Sequence, residues 1–529
     1  MAPKRRSFLF IPLLVLACAI LGGMYGPRVD TVAAAPADDD IKTSLKNFTQ
    51  VYGVVEENFA DPVSADKAIY KGAIPGMLHT LDPHSNFFDP KDLKNMREEQ
   101  QGHYYGIGMS VQGRNGKTIV LAPFVGSPAY RAGLRPGDII IEINDKSTNN
   151  LDSTKVADLL KGPKGTPVQV KVQREGADAP IMFNLIRDEI SRKSVPDAFL
   201  LKPGIGYVRL EMFNETTTKE MEEELKAMDE DHLRGLIVDL RQNPGGLLNE
   251  AVSVGDHFLP KGDVIVSHKG RASAERVYTA RNGNKGRGYP IVVLVDRYSA
   301  SAAEIVSGAL QDHDRAWIVG DNTFGKGLVQ TVFPLTEATG LALTTARYYT
   351  PSGRLIQRDY SNTSFMDYYS NHKDQKNLAD VKMTDSGRTV YGGGGITPDE
   401  KFIAPKLNPF QIAMLVKFAP FNFTRSFFAK RKDTKLPVGW KVDTAVMNDF
   451  HEFALKQGIE FTEADFTREY EWTRRRVQSE IYKTAFSVDE SRKYEISTDP
   501  AVERAIDALP KAQALQSSAK KVIVQRMQK

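Results

Sequence analysis

The sequence predicts an α+β multidomain protein, with a β-rich module, an α/β core and helical regions at both ends. Three observations lead to this prediction. The chain has 529 residues, more than one hydrophobic core usually organises. Short β-branched runs broken by Gly and Pro fill residues 104–187, whereas apolar strands alternate with helical stretches over 195–400. Helical spacing of apolar residues is typical of the flanking regions, 41–100 and 401–529.

The first 40 residues have the layout of a secretory signal. A basic stretch at 4–6 precedes an apolar run at 8–21, and the small residues Ala33, Ala34 and Ala35 follow. We therefore predict export. The long distance from the apolar run to the alanines, and a loose likeness of Val15-Leu16-Ala17-Cys18 to a lipidation site, leave three fates open. The segment is cleaved, lipidated, or retained as a membrane tether through residues 8–26.

Composition excludes several classes of function. The 70 basic and 66 acidic residues leave a net charge of +4, which argues against nucleic acid as a partner. Cys18 is the only cysteine and lies in the apolar run, so the rest of the chain can form no internal disulfide and use no cysteine nucleophile. The nine histidines include no H-E-x-x-H pair. We therefore predict neither a metal nor a cofactor.

The helical regions flank the rest of the chain. Apolar residues recur at helical spacing through 41–81, so we expect a small helical domain over 41–100. Beyond residue 401 the pattern is again helical and rich in aromatic residues, with a highly charged stretch at 468–483. We expect this C-terminal region to pack on the α/β core.

Residues 104–187 carry an ordered string of turn and strand signals. Gly126-Ser127-Pro128-Ala129 is followed by the run 132–140, which holds a Gly-Leu-Arg-Pro-Gly turn, and then by Ile143-Asn144. This order resembles PDZ domains. Tyr105-Gly106-Ile107-Gly108 resembles their carboxylate-binding loop, in which consecutive backbone N–H groups hold a chain terminus. The resemblance implies capture of protein or peptide substrates by their C-termini, although turns alone would also explain each glycine.

Three segments of the α/β core each follow a predicted strand. In 239–246 a strand runs into a Gly-Gly turn, whose free N–H groups suit an oxyanion. In 296–304 serine hydroxyls lie at the C-terminal end of a strand, where open α/β sheets place their sites. In 320–330 Lys326 stands between glycines. Burial would lower the pKa of this amine, and a neutral amine can take the proton of a serine.

Each of these segments also has a plainer interpretation. The Gly-Gly turn can be an ordinary strand-to-helix connection, and Ser299 or Ser301 can be a helix cap. Lys326 can be an exposed loop residue. Residues 320–327 nearly spell a phosphate-binding loop, but Gly327 stands where that loop has a hydroxyl residue.

Taken in order behind a PDZ-like module, the three segments resemble the carboxyl-terminal processing (tail-specific) proteases. Leu81-Asp82-Pro83-His84-Ser85, Thr350-Pro351-Ser352-Gly353-Arg354 and Gly395-Ile396-Thr397-Pro398-Asp399 also match that family's pattern, so the resemblance covers roughly 81–399. It implies a crotonase-like ββα protease core, a serine endopeptidase with a Ser-Lys dyad, and a place in the bacterial periplasm or cell envelope.

The resemblance also implies roles for individual residues. Ser301 takes the place of the nucleophile, Lys326 that of the general base, and Gln330 that of the residue that orients the lysine. Gly246 and Ala302 would supply the oxyanion hole. If 327–330 were an ideal strand they would span roughly 13 Å, so a bend is needed for Gln330 to reach Lys326.

Two other functions are compatible with parts of the pattern. A Ser-His-Asp protease would need His257 or His313 as its base, and neither lies in a recognisable motif. A scaffold would use the PDZ-like module and keep an inactive core. The pattern leaves the oligomeric state open, with a homo-oligomer among the alternatives.

Overall fold

The computed structural model describes residues 38–335, 338–361, 363–370, 377–429, 431 and 435–527. The predicted signal or anchor at 1–40 therefore lies almost entirely outside the described residues. The chain divides into two units, Met1–Ile74 and Pro75–Lys529. Over the described ranges, no helix combines the length and the apolar character needed to cross a bilayer.

The described part of the first unit is helical. It comprises α1 (Asp38–Asn58) and the π-helical α2 (Asp66–Ala73). Apolar side chains of α1 and of the residue just after it are exposed at spacings of three and four residues: Ile41, Leu45, Phe48, Val51, Val55 and Phe59. A helix with this pattern has an apolar face, which is the periodicity that the sequence displays.

The segment before the β-rich module differs from the helical domain expected over 41–100. It contains α3 (Ile74–His79), β1 (Asn86–Phe88) and α4 (Pro90–Gln101). β1 pairs antiparallel with a strand of the α/β core, so that Phe87 lies opposite Leu341. Three residues are too short to show the alternation of a strand. The end of the predicted helical domain is thus part of the core.

The β-rich module folds around a sheet in the order β3-β4-β5-β7-β8, with β6 on β5 and a separate β2–β9 ladder. Its elements are β2 (His103–Gly106), β3 (Met109–Arg114), β4 (Lys117–Pro123), α5 (Pro128–Arg131), β5 (Ile139–Ile143), β6 (Lys146–Ser147), α6 (Ser153–Leu160), β7 (Pro167–Gln173), β8 (Ile181–Ile186) and β9 (Asp188–Ser191). Its buried core includes Val120, Ala129, Ile140, Val156 and Val170. They come from the strands β4, β5 and β7 and from the helices α5 and α6.

The α/β core is built on a largely parallel sheet in the order β10-β11-β12-β15-β16-β21. The strands are β10 (Asp197–Lys202), β11 (Ile205–Arg209), β12 (Gly235–Asp239), β15 (Ile291–Val295), β16 (Ala316–Gly320) and β21 (Glu400–Lys401). Only β10 runs antiparallel to its neighbour. Every residue of β12 and of β15 is buried. Such continuous apolar strands need cover on both faces of the sheet.

Helices cover both faces. The helices α7 (Thr217–Ala227), α8 (Leu248–Phe258) and α9 (Ala302–Asp312) pack on one face. On the other face, α17 (Pro500–Met527) packs its Val502, Ala505 and Leu509 against the strands. The C-terminal region therefore packs on the core, as the sequence predicts.

A second, antiparallel sheet lies beyond α8 and α9 and includes the strands that follow the Lys326 segment. Its order is β1-β18-β13-β14, with β17 on β18. The strands are β13 (Val264–Gly270), β14 (Ser273–Thr279), β17 (Leu328–Pro334) and β18 (Gly340–Tyr349). Helix α10 (Phe365–Ser370) and the hairpin β19 (Asn377–Met383) to β20 (Thr389–Gly392) follow. β17 and β1 both pair with β18, which brings the segments around 82–85 and 330 together.

The rest of the C-terminal region has its own core of aromatic residues. It consists of α11 (Pro409–Val416), α12 (Ala419–Ala429), α13 (Thr444–Lys456), α14 (Glu463–Arg468), α15 (Tyr470–Ala485) and α16 (Val488–Ser497). Phe410, Phe423, Phe450 and Phe466 are buried in this cluster. The helical pattern of the sequence thus corresponds to a helical structure.

Candidate active site

The three predicted loops meet at one edge of the parallel sheet. β12, β15 and β16 are neighbours, and their carboxyl ends lie side by side. Ala300 N donates to the carbonyl oxygen of Asn243 at 2.9 Å, and Phe324 N donates to that of Ser299 at 2.9 Å. The serine segment is therefore joined by backbone hydrogen bonds to the Gly-Gly turn on one side and to the Lys326 segment on the other.

Ser301 occupies the N-cap position of α9 in an unusual backbone conformation. Its φ is 53° and its ψ is −112°, and Ser301 is only 8% exposed to solvent. A positive φ is uncommon for a residue with a Cβ and costs conformational energy, on the order of 1–3 kcal/mol. Strain of this kind persists only where neighbouring contacts hold it, and the carboxylate of Glu304 provides such contacts.

Glu304 binds the backbone of both predicted catalytic residues. Its Oε2 accepts from Ser301 N at 2.9 Å and from Lys326 N at 2.8 Å. Its Oε1 accepts from Gly325 N at 2.7 Å and from the hydroxyl of Thr323. Because both amide nitrogens donate to the same oxygen, the distance between Ser301 N and Lys326 N cannot exceed the sum of these two distances. Burial raises the pKa of the Glu304 carboxyl, and the hydrogen bonds that it accepts oppose that shift.

The sequence alone predicted no role for Glu304, although it carries a signal for one. Ser301 and Glu304 have the S-x-x-E spacing of a capping box, in which the glutamate side chain accepts from the N-cap amide. Glu304 also accepts hydrogen bonds from Gly325 and Lys326, which lie more than twenty positions further along the chain. No local pattern predicts such a contact.

Lys326 lies in a desolvated position beside two carboxylates. Burial lowers the pKa of its amine, and the charges of Glu304 and Asp82 act in the opposite direction. Over the described ranges, no hydrogen bond or ion pair of its Nζ is recorded. The pKa shift favours the neutral amine that a general base requires.

The Gly-Gly turn lies against the start of α9. A Cβ on Gly245, whose φ is 100°, would lie 2.7 Å from Ser301 Cβ and 2.9 Å from Ala302 N. A Cβ on Gly246 would lie 2.0 Å from the carbonyl oxygen of Phe213, so glycine is required here. Among the described residues, the amides of Gly246 and Ala302 donate no recorded hydrogen bond. Two free donors therefore lie beside Ser301.

Gln330 is on β17, just beyond an irregularity between Val329 and Gln330. Its Nε2 donates to Thr344 Oγ1 at 3.2 Å. In the described part of the chain, no hydrogen bond between Gln330 and Lys326 is recorded. Thr344 N in turn donates to Ser85 Oγ at 3.2 Å, and Ser85 Oγ donates to Asp82 Oδ2 at 2.7 Å. Gln330 is thereby linked to the carboxylate whose charge acts on Lys326.

Two segments that the sequence singled out by resemblance frame the site. Asp82 accepts from the amide of His84 at 2.7 Å, and burial together with the charge of Lys326 lowers the pKa of His84 to about 3. On the other side, Thr323 N donates to Ile396 O at 3.1 Å, and Ile396 N donates to Thr323 Oγ1 at 2.6 Å. The 395–399 segment therefore braces the loop that carries Lys326.

The two histidines of the alternative protease are bound elsewhere. His257 hydrogen-bonds to Glu230 at 2.8 Å through Nε2. His313 hydrogen-bonds to Asp385 through Nδ1 and to Val264 O through Nε2, both at 2.7 Å. These bonds raise the pKa of His313 to about 9, despite burial, so it is protonated near neutral pH. Neither histidine is placed to act as the base for Ser301.

The predicted carboxylate-binding loop connects β2 to β3. Tyr105 and Gly106 are in β2, opposite Glu189 and Asp188, whereas Ile107 and Gly108 lie between the strands. Gly108 has a φ of 73°. Over the described ranges, the amides of Ile107 and Gly108 donate no recorded hydrogen bond. This part of the loop therefore presents two adjacent N–H groups.

Within the described ranges, no group of three or more His, Cys, Asp or Glu residues is arranged to hold a metal ion.

Comparison with known proteins supplies the family. The sequence matches the PDZ domain over residues 119–174 and peptidase family S41 over 204–361. It is 41% identical over 318 residues to the carboxy-terminal-processing protease of Bartonella bacilliformis, a match that spans 59% of this chain and 72% of that protein. It is 32% identical over 329 residues to the carboxy-terminal processing protease CtpB of Bacillus subtilis, spanning 62% and 68%.

Among solved structures, a photosystem II D1 C-terminal processing protease is 27% identical, with a TM-score of 0.36 over 67% of this chain and 86% of that one. The relatives and the two family matches indicate the same family. This chain therefore belongs to the carboxy-terminal processing proteases, serine peptidases of family S41 that carry a PDZ domain.

Proposed function

We propose that the chain is an exported endopeptidase that cleaves proteins captured by their C-terminal tails, with Ser301 as nucleophile and Lys326 as general base. The observation that carries this proposal is the carboxylate of Glu304, which accepts from the amides of both residues. The desolvated amine of Lys326 and the free amides beside Ser301 support it further.

The reaction proceeds through an acyl-enzyme. Neutral Lys326 takes the proton of Ser301 Oγ as that oxygen attacks the carbonyl carbon of the scissile bond. The amides of Gly246 and Ala302 donate to the resulting oxyanion. The lysine ammonium then protonates the leaving amine as the C–N bond breaks. Water, with Lys326 again as base, hydrolyses the ester and frees Ser301. Gln330 acts as a positioning residue through Thr344 and the 82–85 segment.

Cellular location and assembly are part of the same proposal. The basic and apolar layout of the first 40 residues supports export to the bacterial periplasm or cell envelope. The membrane tether through residues 8–26 and assembly into a homo-oligomer remain predictions from the sequence.

A serine-directed covalent probe tests the nucleophile. The wild-type protein is expected to incorporate a fluorophosphonate, and Ser301→Ala is expected to incorporate none, because the probe reacts with an activated hydroxyl. Labelling is read by intact mass. Ser307→Ala is the control, since its hydroxyl lies on the same helix and donates to Ala303 O at 2.8 Å. Equal labelling of Ser301→Ala and wild type would exclude Ser301 as the nucleophile. If neither the wild type nor a variant were labelled, the result would favour a scaffold with an inactive core.

Tail capture by the PDZ domain predicts a large effect of Gly108→Ala. A Cβ at this position would lie 2.4 Å from Ser127 Cβ, so the loop must move and its two amides lose their alignment. We expect binding of a fluorescent peptide with an apolar C-terminus to weaken by at least about tenfold, the effect of losing one to two kcal/mol of hydrogen bonding. Fluorescence anisotropy measures this change.

Gly133→Ala is the matched control for the loop variant. Gly133 also has a positive φ, 85°, but no atom lies within 4 Å of its added Cβ. The two variants share the backbone strain and differ in the collision. If Gly108→Ala binds the peptide as tightly as Gly133→Ala, the 105–108 loop does not hold the tail.

A further inference from the structure

A cavity of about 670 Å³ lies between the parallel sheet and the C-terminal helices. Arg209, at the end of β11, and Arg241, two residues after β12, line it from the sheet. Trp472 and Arg475 of α15 and Tyr494 of α16 line it from the helices. Its volume is in the range of small-molecule sites, and its lining combines arginines with aromatic rings.

The acidic residues of this cavity already have cationic or polar partners. Asp499 pairs with Arg241 at 2.8 Å. The remaining carboxylates are bound as follows: Glu469 by Asn408, Gln411 and Arg468, Glu471 by Arg474, and Glu495 by Ser479 and Arg476. The acidic side chains therefore do not neutralise every arginine that faces the cavity.

Among the described residues Arg209 forms no ion pair, although its charge acts on Asp197 of the neighbouring strand. In the sheet it lies opposite Asp197 of β10 and Asp239 of β12, so the three side chains share one face. Asp197 pairs with Arg492 at 2.8 Å, and Asp239 pairs with Arg241 at 2.6 Å. The Nε of Arg209 is buried and has no hydrogen-bond partner. Leaving a buried donor of a charged group unsatisfied is costly, so this position favours an anion.

Arg475 faces the same cavity from α15. Its Nη1 donates to the carbonyl oxygen of Thr498 at 3.2 Å, and no ion pair is recorded for it among the described residues. Two guanidinium groups thus approach one space from opposite sides with donors to spare. Guanidinium groups bind carboxylate and phosphate oxygens through paired N–H donors.

We propose that this cavity binds an organic oxyanion, with its carboxylate or phosphate group between Arg209 and Arg475 and its apolar part against Trp472 and Tyr494. The aromatic rings supply apolar and stacking surface beside the charged groups. Neither Ser301 nor Lys326 lines this cavity, so the site is distinct from the peptidase centre and does not depend on its chemistry.

Calorimetric titration of the full chain tests the proposal, with Ser301→Ala as the background to prevent turnover. The probes are phenyl phosphate, N-acetylphenylalanine and its neutral amide. We expect both anions to bind and the amide not to bind, and the tighter of the two anions identifies the preferred charged group. Arg209→Gln and Arg475→Gln should each weaken binding roughly tenfold or more, as expected for a charge-assisted hydrogen bond.

Two controls separate this site from others. Lys493→Gln should bind as the unsubstituted protein does, because Lys493 of α16 pairs with Glu490 and neither residue lines the cavity. Gly108→Ala should also leave binding unchanged, because Gly108 does not line the cavity. A carboxylate held by the PDZ loop would instead be lost in that variant. Loss of binding in Gly108→Ala alone would place the ligand in the PDZ domain and overturn the proposal.

Other outcomes also decide against the cavity. Asp197 Oδ2 is buried without a hydrogen-bond partner, so Arg209 could turn to it instead of to a ligand. In that case neither anion would bind to the unsubstituted protein. An anion site would also be excluded if the neutral amide bound as tightly as the anions. The same conclusion would follow if Arg475→Gln bound the anions as tightly as the unsubstituted protein. Arg475 is only partly buried, so its variant is informative even if Arg209→Gln does not fold.

Discussion

Lys326→Ala is expected to lower the peptidase activity by a factor on the order of 10⁴, because the variant has no group to take the proton of Ser301. Lys326→Arg should be equally inactive, since a guanidinium is not deprotonated in proteins. The measurement is cleavage of an unfolded reporter that ends in an apolar tail. Lys219→Ala, an exposed lysine on α7, serves as the control and should retain full activity.

The pH profile of the wild type follows from the same residue. Burial lowers the pKa of Lys326 below its usual value near 10.5. Activity should therefore rise with pH as the amine loses its proton, and level off above the lowered pKa, below 10.5. If Lys326→Ala retained the wild-type activity and profile between pH 6 and 10, the lysine would not be the base.

Protein stability offers an independent readout of Lys326. Between the lowered pKa of the folded state and the normal value of the unfolded state, the unfolded chain binds the extra proton. The free energy of unfolding should therefore increase as pH rises through this window. Lys326→Met should lack this increase and retain the rest of the pH dependence. A pKa near 10.5 in the folded protein would produce no difference between the two profiles.

Glu304→Ala is expected to lower both activity and stability. Three backbone amides and the hydroxyl of Thr323 would lose a buried acceptor, at a cost on the order of 3 to 5 kcal/mol. The strained conformation of Ser301 would lose a contact that holds it, and kcat should fall by a factor on the order of 10³ with a smaller change in KM. Urea denaturation and steady-state kinetics measure the two effects.

Glu304→Gln distinguishes charge and geometry from volume. The amide has nearly the same size but presents one acceptor and one donor, so it cannot accept all of the hydrogen bonds that Glu304 accepts. It should be less impaired than Glu304→Ala and still far below wild type. Ser307→Ala, three residues further along α9, controls for a general disturbance of the helix. Wild-type kcat in Glu304→Gln would mean that this carboxylate does not position the catalytic residues.

Much of the fold follows from local sequence signals. The PDZ-like module could be predicted because several of its turns carry glycine or proline, and strands such as β7 and β8 alternate between buried and exposed residues. The core strands could be predicted because β12 and β15 are continuous apolar runs. By contrast, β1 is defined only by its pairing with β18, and its three residues carry no periodic pattern. Its place in the core sheet could not be predicted.

The site shows the same division. Ser301, Lys326 and the Gly-Gly turn stand at the ends of strands that the sequence identifies, so their meeting follows from sheet topology. The partners of Glu304 and Gln330 depend instead on contacts between distant segments. Glu304 reaches Lys326 across 22 positions, and Gln330 donates to Thr344 of the neighbouring strand rather than to the lysine. The irregularity between Val329 and Gln330 sets which residue of β18 lies opposite Gln330, and no pattern in the sequence predicts that irregularity.

Helix α17 is made after every strand that it covers, which has a consequence during biosynthesis. Its Leu509 packs so closely that a Cβ on Gly235 would lie 2.8 Å away, at the start of β12. Without this helix, one apolar face of the parallel sheet is exposed to water. The sheet then lacks a large part of the contacts that stabilise it. Truncation before α17 is therefore expected to destabilise the strands whose ends carry Ser301 and the Gly-Gly turn.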